Sequence, residues 1–250
     1  MSGHSKWATI KHKKGAADAA RGKLFAKLAR QVEVAAKSGG DPDMNPTLRT
    51  AIQKAKAARM TNEAIDRAVK RGSGEGGDAV NYETIMYEGY APGGVALLID
   101  VLTDNRNRIS ADVRQVFSKL GGSMAEPGAV GWQFGRRGVI VTTEGISEDE
   151  VMLAALDAGA DDIVAEGQAW RIMTDPSDVF DVKAKLEEAG IETISADSPM
   201  VAENLIEVTE LKDAKAILRI MEALEDNDDV QDVFSNFDIS DDLMEAAAAE

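Results

Sequence analysis

The balance of charge reverses once along this 250-residue chain, and that reversal limits how it can fold. Residues 1–80 carry 16 Lys and Arg against 8 Asp and Glu, a net of +8, whereas residues 81–250 carry 12 against 36, a net of −24. Charged side chains stay at the surface unless they are paired, so the two blocks predict separate folded units with surfaces of opposite sign. Ser73-Gly74-Glu75-Gly76-Gly77 sits where the sign changes and reads as a flexible linker. A basic unit on an acidic carrier suits a polyanion, because clustered Lys and Arg gain affinity by displacing counterions from phosphates.

The cations concentrate at the start. Residues 1–30 hold Lys6, Lys11, Lys13, Lys14, Arg21, Lys23, Lys27 and Arg30 against one acid, Asp18. His4, Trp7 and His12 lie among them, and flat rings among cations suit stacking on unpaired bases. From Ala16 the spacing predicts a helix. Leu24, Leu28 and Val32 recur every four residues, with Phe25 and Ala29 beside them, while Lys23, Lys27, Arg30 and Lys37 share the opposite side. That side alone fits a phosphate-contacting stripe and an ordinary solvated face equally well. Joined to Lys6, Lys11, Lys13 and Lys14, it favours phosphate contact. The residues expected to bind nucleic acid are therefore His4, Lys6, Trp7, Lys11, His12, Lys13, Lys14, Arg21, Lys23, Lys27 and Arg30.

Two more helices follow. Asn45 then Pro46 supplies an N-cap acceptor and a first-turn residue that needs no amide partner, ahead of an apolar stripe at Leu48, Ala51, Ile52 and Ala55. Thr61 caps a third, carrying Ala64, Ile65, Ala68 and Val69 to Gly72. Beyond the linker, short strands alternate with helices. Strands are predicted over 82–90, 95–103, 130–134, 138–143, 162–166, 169–174, 191–196, 204–208 and 230–234. Helices are predicted around 109–120, over 147–158 with a Ser147–Glu150 capping box, from an Asp175-Pro176 start to Gly190, and over 214–224. Residues 138–197 read β-α-β-β-α-β, the split pattern of a ferredoxin-like domain. The stretches 82–134 and 204–235 are the pieces available to complete a second one around it. Residues 241–250 read as a frayed acidic tail.

The chain has no cysteine, which excludes disulfides, thiolate metal sites and cysteine nucleophiles. No phosphate-binding glycine loop, nucleophile elbow or zinc-protease helix is present, and both histidines lie within twelve residues of the start. The apolar run 95–99 is far too short to span a bilayer. These observations argue against an enzyme and give no reason to expect a cofactor or metal. In the acidic body, Arg106, Arg108 and Arg114 follow the cap-rich segment Asp104-Asn105, and are candidates for a second phosphate contact or for pairing with neighbouring acids. Tyr87-Glu88-Gly89-Tyr90-Ala91-Pro92-Gly93-Gly94 reads as a tight turn between strands, with an anion contact from the Gly93-Gly94 amides as the less favoured alternative.

Gly3-His4-Ser5-Lys6-Trp7, the basic run 11–14, Arg21-Gly22-Lys23, Gly40-Asp41-Pro42, Asn45-Pro46, residues 87–94 and residues 104–108 together resemble the YebC/PmpR family, nearly end to end. Ala91 departs from the glycine that the family often carries. The resemblance implies a cytoplasmic, non-enzymatic protein of three domains. It implies a regulator of gene expression, either a DNA-binding transcriptional regulator or a ribosome-associated translation factor resting on rRNA. A small-molecule sensor or enzyme built on the ferredoxin-like sheets is the alternative.

The expected architecture is thus α+β, with an N-terminal three-helix domain followed by two ferredoxin-like α/β domains, one inserted in the other. The expected bounds are 1–77 for the basic domain and its linker, 78–135 plus 202–240 for the first α/β domain, 136–201 for the insert, and 241–250 for the tail. Expected partners are nucleic acid (rRNA or DNA) and the ribosome, with no membrane and no small-molecule ligand.

Overall fold

The computed structural model describes residues 17–75 and 81–248. Helix α1, Ala17–Ala36, buries Leu28, Val32, Ala35 and Ala36. Leu24, the first residue of the predicted stripe, is 43% exposed, because the core formed with the next two helices reaches only to Phe25. Helix α2, Pro46–Ala57, starts at Asn45, whose side chain accepts from the Leu48 amide at 3.1 Å. The Asn45 amide group also donates to the Ala35 and Gly39 carbonyls at 2.8 Å, so one buried side chain starts α2 and closes α1. Helix α3, Asn62–Gly72, is capped by Thr61. Its last residue sits against α1, where a Cβ on Gly72 would lie 2.0 Å from the Glu33 carbonyl oxygen. Only glycine permits this approach.

The central sheet runs in the order β11 (Val230–Ser235), β2 (Ala96–Thr103), β1 (Glu83–Tyr90) and β3 (Ser123–Ala125), with antiparallel neighbours throughout. Strand β1, Glu83–Tyr90, turns through a 3-10 turn, Pro92–Gly94, into β2, Ala96–Thr103. Strand β2 is covered on both faces, which accounts for its unbroken apolar run. Leu97, Ile99 and Val101 meet helix α4, Arg106–Leu120, and helix α7, Leu211–Glu225. Ala96 and Leu98 face the other way, against Val130, Phe134 and Phe234. Strand β3, Ser123–Ala125, lies at one edge, and β11, Val230–Ser235, at the other. Gly89 allows the Phe117 ring to pack closely on β1, since a Cβ there would be 2.4 Å from the ring.

Two short strands, β4 (Phe134–Arg136) and β9 (Met200–Ala202), pair antiparallel at the neck of an insertion. Between them lie β5 (Gly138–Thr142), α5 (Glu148–Ala158), β6 (Asp162–Glu166), β7 (Ala169–Thr174), α6 (Val179–Glu188) and β8 (Thr193–Asp197). Their sheet order, β6-β7-β5-β8, is the antiparallel arrangement that β-α-β-β-α-β units adopt. The central sheet has the same order in space, with the strand next to β3 coming first in the chain. Both sheets carry their helices on one face, as an α+β layering requires.

Some local expectations shift. The strand expected over 130–134 begins with a 3-10 turn, Gly131–Gln133, and only Phe134–Arg136 extends. Glu88 causes this. Its buried carboxylate accepts from the amides of Gly128 (2.7 Å), Val130 (2.5 Å) and Gly131 (2.8 Å), and so fixes that loop as a turn. Strand β3 was not expected; three residues are too few to show a period. The helix expected from Asp175-Pro176 begins at Val179, because Asp175 instead accepts from the amide and hydroxyl of Ser177. The segment read as a frayed tail is helical over Asp241–Ala248 (α8), and its Met244 is buried against the central core. Ahead of it, β10 (Ile206–Val208) pairs parallel with β12 (Phe237–Ile239).

Candidate nucleic-acid interface

His4, Lys6, Trp7, Lys11, His12, Lys13 and Lys14 lie outside the described residues. Arg21, Lys23, Lys27 and Arg30 lie on α1, where Arg21 is exposed. The other three share one side, as their spacing requires, and that side faces the turn between α7 and β11. Lys23 Nζ is 3.1 Å from an Asp226 carboxylate oxygen. Lys27 donates to the Glu225 carbonyl at 2.8 Å. Arg30 donates to the Asp228 carbonyl at 2.8 Å, to the Leu102 carbonyl at 3.2 Å and to an Asp229 carboxylate oxygen at 3.0 Å. Its guanidinium also lies 5.3 Å from the Tyr82 ring centre, close enough for a cation–π contact. The cationic side of α1 therefore meets an acidic turn of the same chain.

That turn is built locally. Helix α7 ends at Glu225 and is followed by Asp226 as its cap, the Asn227 side chain accepts from the Asp229 amide at 2.9 Å, and Asn227 donates to Asp112 on α4 at 3.2 Å. These contacts aim Asp229 inward. Its second oxygen accepts from Thr103 Oγ1 at 2.8 Å and from Arg108 at 2.6 Å. Burial would raise this carboxyl, but the Arg108 and Thr103 hydrogen bonds and the charges of Arg108 and Arg30 outweigh it and hold the group below the usual aspartate range. Arg108 is held protonated in turn, chiefly by hydrogen bonds to Asp229 and to Asp104. Asp229 thus serves two arginines through its carboxylate, and Asp228 serves Arg30 through its backbone carbonyl.

The three arginines of α4 divide. Arg108 belongs to this network. Arg106 and Arg114 are exposed, and neither forms an ion pair among the described residues. Sequence spacing offers one local sign, Asp104 four residues ahead of Arg108, but its second partner lies 121 residues away.

Sequence reading missed a second junction. Helix α2, the central sheet and the insert enclose a cleft of about 650 Å³. Lys54 of α2 is 2.5 Å from Asp197 of β8. Asp100 and Asp232 are direct cross-strand partners at its floor, and Arg136 lines it from the neck. Burial and the Asp232 charge together push the Asp100 carboxyl up, against smaller opposing effects of Arg136 and Lys54. No signal in the sequence joins residues 54, 100, 136, 197 and 232, because each comes from a different element.

Residues 5–75 match the model of the TACO1/YebC protein N-terminal domain, and residues 82–237 match that of the TACO1/YebC second and third domain. The chain belongs to the TACO1/YebC family. A family member from Halothermothrix orenii, a probable transcriptional regulatory protein, is 54% identical over 254 residues and covers 100% of both chains. A probable transcriptional regulatory protein of Rubrobacter xylanophilus is 52% identical over 99% of this chain and 100% of its own. Among solved structures, the conserved hypothetical protein Aq1575 of Aquifex aeolicus superposes with a TM-score of 0.83 at 41% identity, covering 94% of this chain and 98% of that one. The family resemblance read from GHSKW, the Tyr87–Gly94 stretch and residues 104–108 is thereby established. Among the described residues, no helix of this TACO1/YebC chain is long and apolar enough to cross a membrane.

Proposed function

We propose that this protein regulates gene expression by binding nucleic acid through its basic N-terminal unit, and that its target is structured RNA of the translation machinery. The observation that carries the reading is the charge reversal, with a net of +8 over residues 1–80 on a body of −24. Binding through the first part places phosphate against Lys and Arg while the acidic body keeps away. The body also disfavours a long duplex, which would bring phosphates beneath it. Irregular RNA can meet a short basic segment without doing so, and offers unpaired bases to Trp7, His4 and His12. Arg106 and Arg114 are the proposed second contact.

The names of the relatives favour a second reading, transcriptional regulation on DNA. The acidic body argues against it, because a long duplex reaching the basic unit would also run beneath a surface of net −24. Cross-linking in growing cells, followed by sequencing of all attached DNA and RNA, decides between them. Enrichment of one rRNA neighbourhood is expected. Enrichment at promoters with rRNA at background would establish the transcriptional reading instead.

A further inference from the structure

The cations of α1 already hold a ligand, and it is chemically close to the proposed one. Lys23, Lys27 and Arg30 are spaced one helical turn apart, and all three meet oxygens of the segment 225–229. Those oxygens are two carboxylates and three backbone carbonyls. A row of anionic and carbonyl oxygens along a helix face presents to lysine and arginine what a phosphate backbone presents.

We propose that residues 225–229 act as an internal phosphate mimic that latches the helical unit onto the body, and that nucleic acid displaces it. The proposal rests on the nucleic-acid reading above and adds its regulation: the α1 stripe is available only when the latch opens.

The joint has the character of a releasable contact. The helical core and the central core share no residue. What bridges them along this edge is polar: the α1 cations, a Gln31–Gln231 hydrogen bond of 3.1 Å, and Arg30 and Lys37 over Tyr82. The outer pair, Lys23 and Asp226, is 47% and 59% exposed, where salt and competing anions act freely. The inner pair is arranged so that release leaves no orphan charge. When Arg30 departs, Asp229 keeps Arg108 and Thr103. A buried carboxylate abandoned without a partner would make opening costly; here Arg108 removes that barrier. The second contact follows, because Arg106 opens the same helix that supplies Arg108.

If a closed state withholds the stripe, apparent affinity falls by the fraction that is closed. The test uses the full chain, whose lack of cysteine makes introduced thiols specific. Gln31→Cys with Gln231→Cys takes no cation away, and a short bismaleimide bridging the two locks the joint. The same protein capped with N-ethylmaleimide is its control. Separately, Asp226→Lys opens the outer pair, with Glu188→Lys on the insert as a control of equal charge change. The probe is a fluorescein-labelled RNA hairpin followed by anisotropy, and X-ray scattering reports the radius of gyration.

The bridged protein is expected to bind more weakly than the capped one. D226K is expected to bind about 3- to 10-fold tighter than E188K and to expand. Equal affinity of the bridged and capped proteins, with binding intact, overturns the latch and leaves the nucleic-acid reading standing. Absence of binding by every form, D226K included, overturns the nucleic-acid reading itself and the latch with it.

Discussion

Arg30 on α1 and Arg108 on α4 share one carboxylate, that of Asp229, each taking a different oxygen, at 3.0 Å and 2.6 Å. One of these arginines belongs to the helical unit and the other to the body. A single aspartate therefore links internal order in the central sheet to the placement of the basic unit beside it.

Replacing that aspartate tests what its charge contributes. Asp229→Asn keeps the shape but loses the charge on which Arg30, Arg108 and Thr103 converge, and should cost about 2 kcal/mol at neutral pH. Because the folded carboxyl sits below its unfolded value, its contribution is complete above the ordinary aspartate range near pH 4 and is lost as pH falls through the folded value. Denaturation of parent and variant should differ at pH 7 and converge in strong acid. A difference independent of pH would mean that the charge contributes nothing.

Asp100 predicts the opposite sign. Its carboxyl is raised by burial and by Asp232 across the strand pair, so ionisation is penalised in the folded state. Asp100→Asn should stabilise the protein at pH 7 by up to about 1 kcal/mol. The gain should shrink as pH falls through the raised folded value, and vanish below the unfolded value near 4. Thermal melts across that range check it; a destabilised variant would show that Lys54 and Arg136 need the charge.

Glu88 organises a loop rather than a ligand. Glu88→Gln turns an amide group toward the backbone N–H groups of Gly128, Val130 and Gly131, and should cost about 2 kcal/mol. Amide hydrogen exchange at residues 128–131 should accelerate before global unfolding. Unchanged protection there would show that the turn holds without the carboxylate.

The arginines of α4 should divide in solution as they do in the fold. Arg106→Glu with Arg114→Glu should weaken RNA binding and reduce its salt slope by about 1 per lost phosphate contact, while the melting temperature stays unchanged. Arg108→Glu should lower the melting temperature, because it breaks the contacts to Asp229 and Asp104. Equal stability losses in both variants would place all three in structural roles. Within the basic run 11–14, Lys11→Ala, Lys13→Ala and Lys14→Ala combined should flatten the salt dependence of binding; an unchanged slope would remove that run from the interface.

Much of the secondary structure was legible because its causes are local. Asn45 before Pro46, Thr61, Asn105 and the Ser147–Glu150 capping box start helices within three residues of the cap, and Gly121 and Gly159 end helices by adopting the left-handed conformation. The β-α-β-β-α-β order of 138–197 was visible for the same reason, since each element carries its own period. The charge reversal is a property of the chain alone, and so is the expectation of an interface for phosphate.

What faces what was decided only by the tertiary structure. On α1 the spacing of Lys23, Lys27 and Arg30 establishes a shared side, but their partners lie about two hundred residues away. No period or cap reaches that far. The same holds for Arg108 with Asp229, and for the convergence of Lys54, Asp100 and Arg136 on one cleft. Helix caps and amphipathic stripes are written in neighbouring residues, because hydrogen bonds of the first turn and the burial of one face act within a few positions. The pairing of distant charges depends on the packed cores that bring them together, and those cores determined that the basic stripe lies against the protein's own acids.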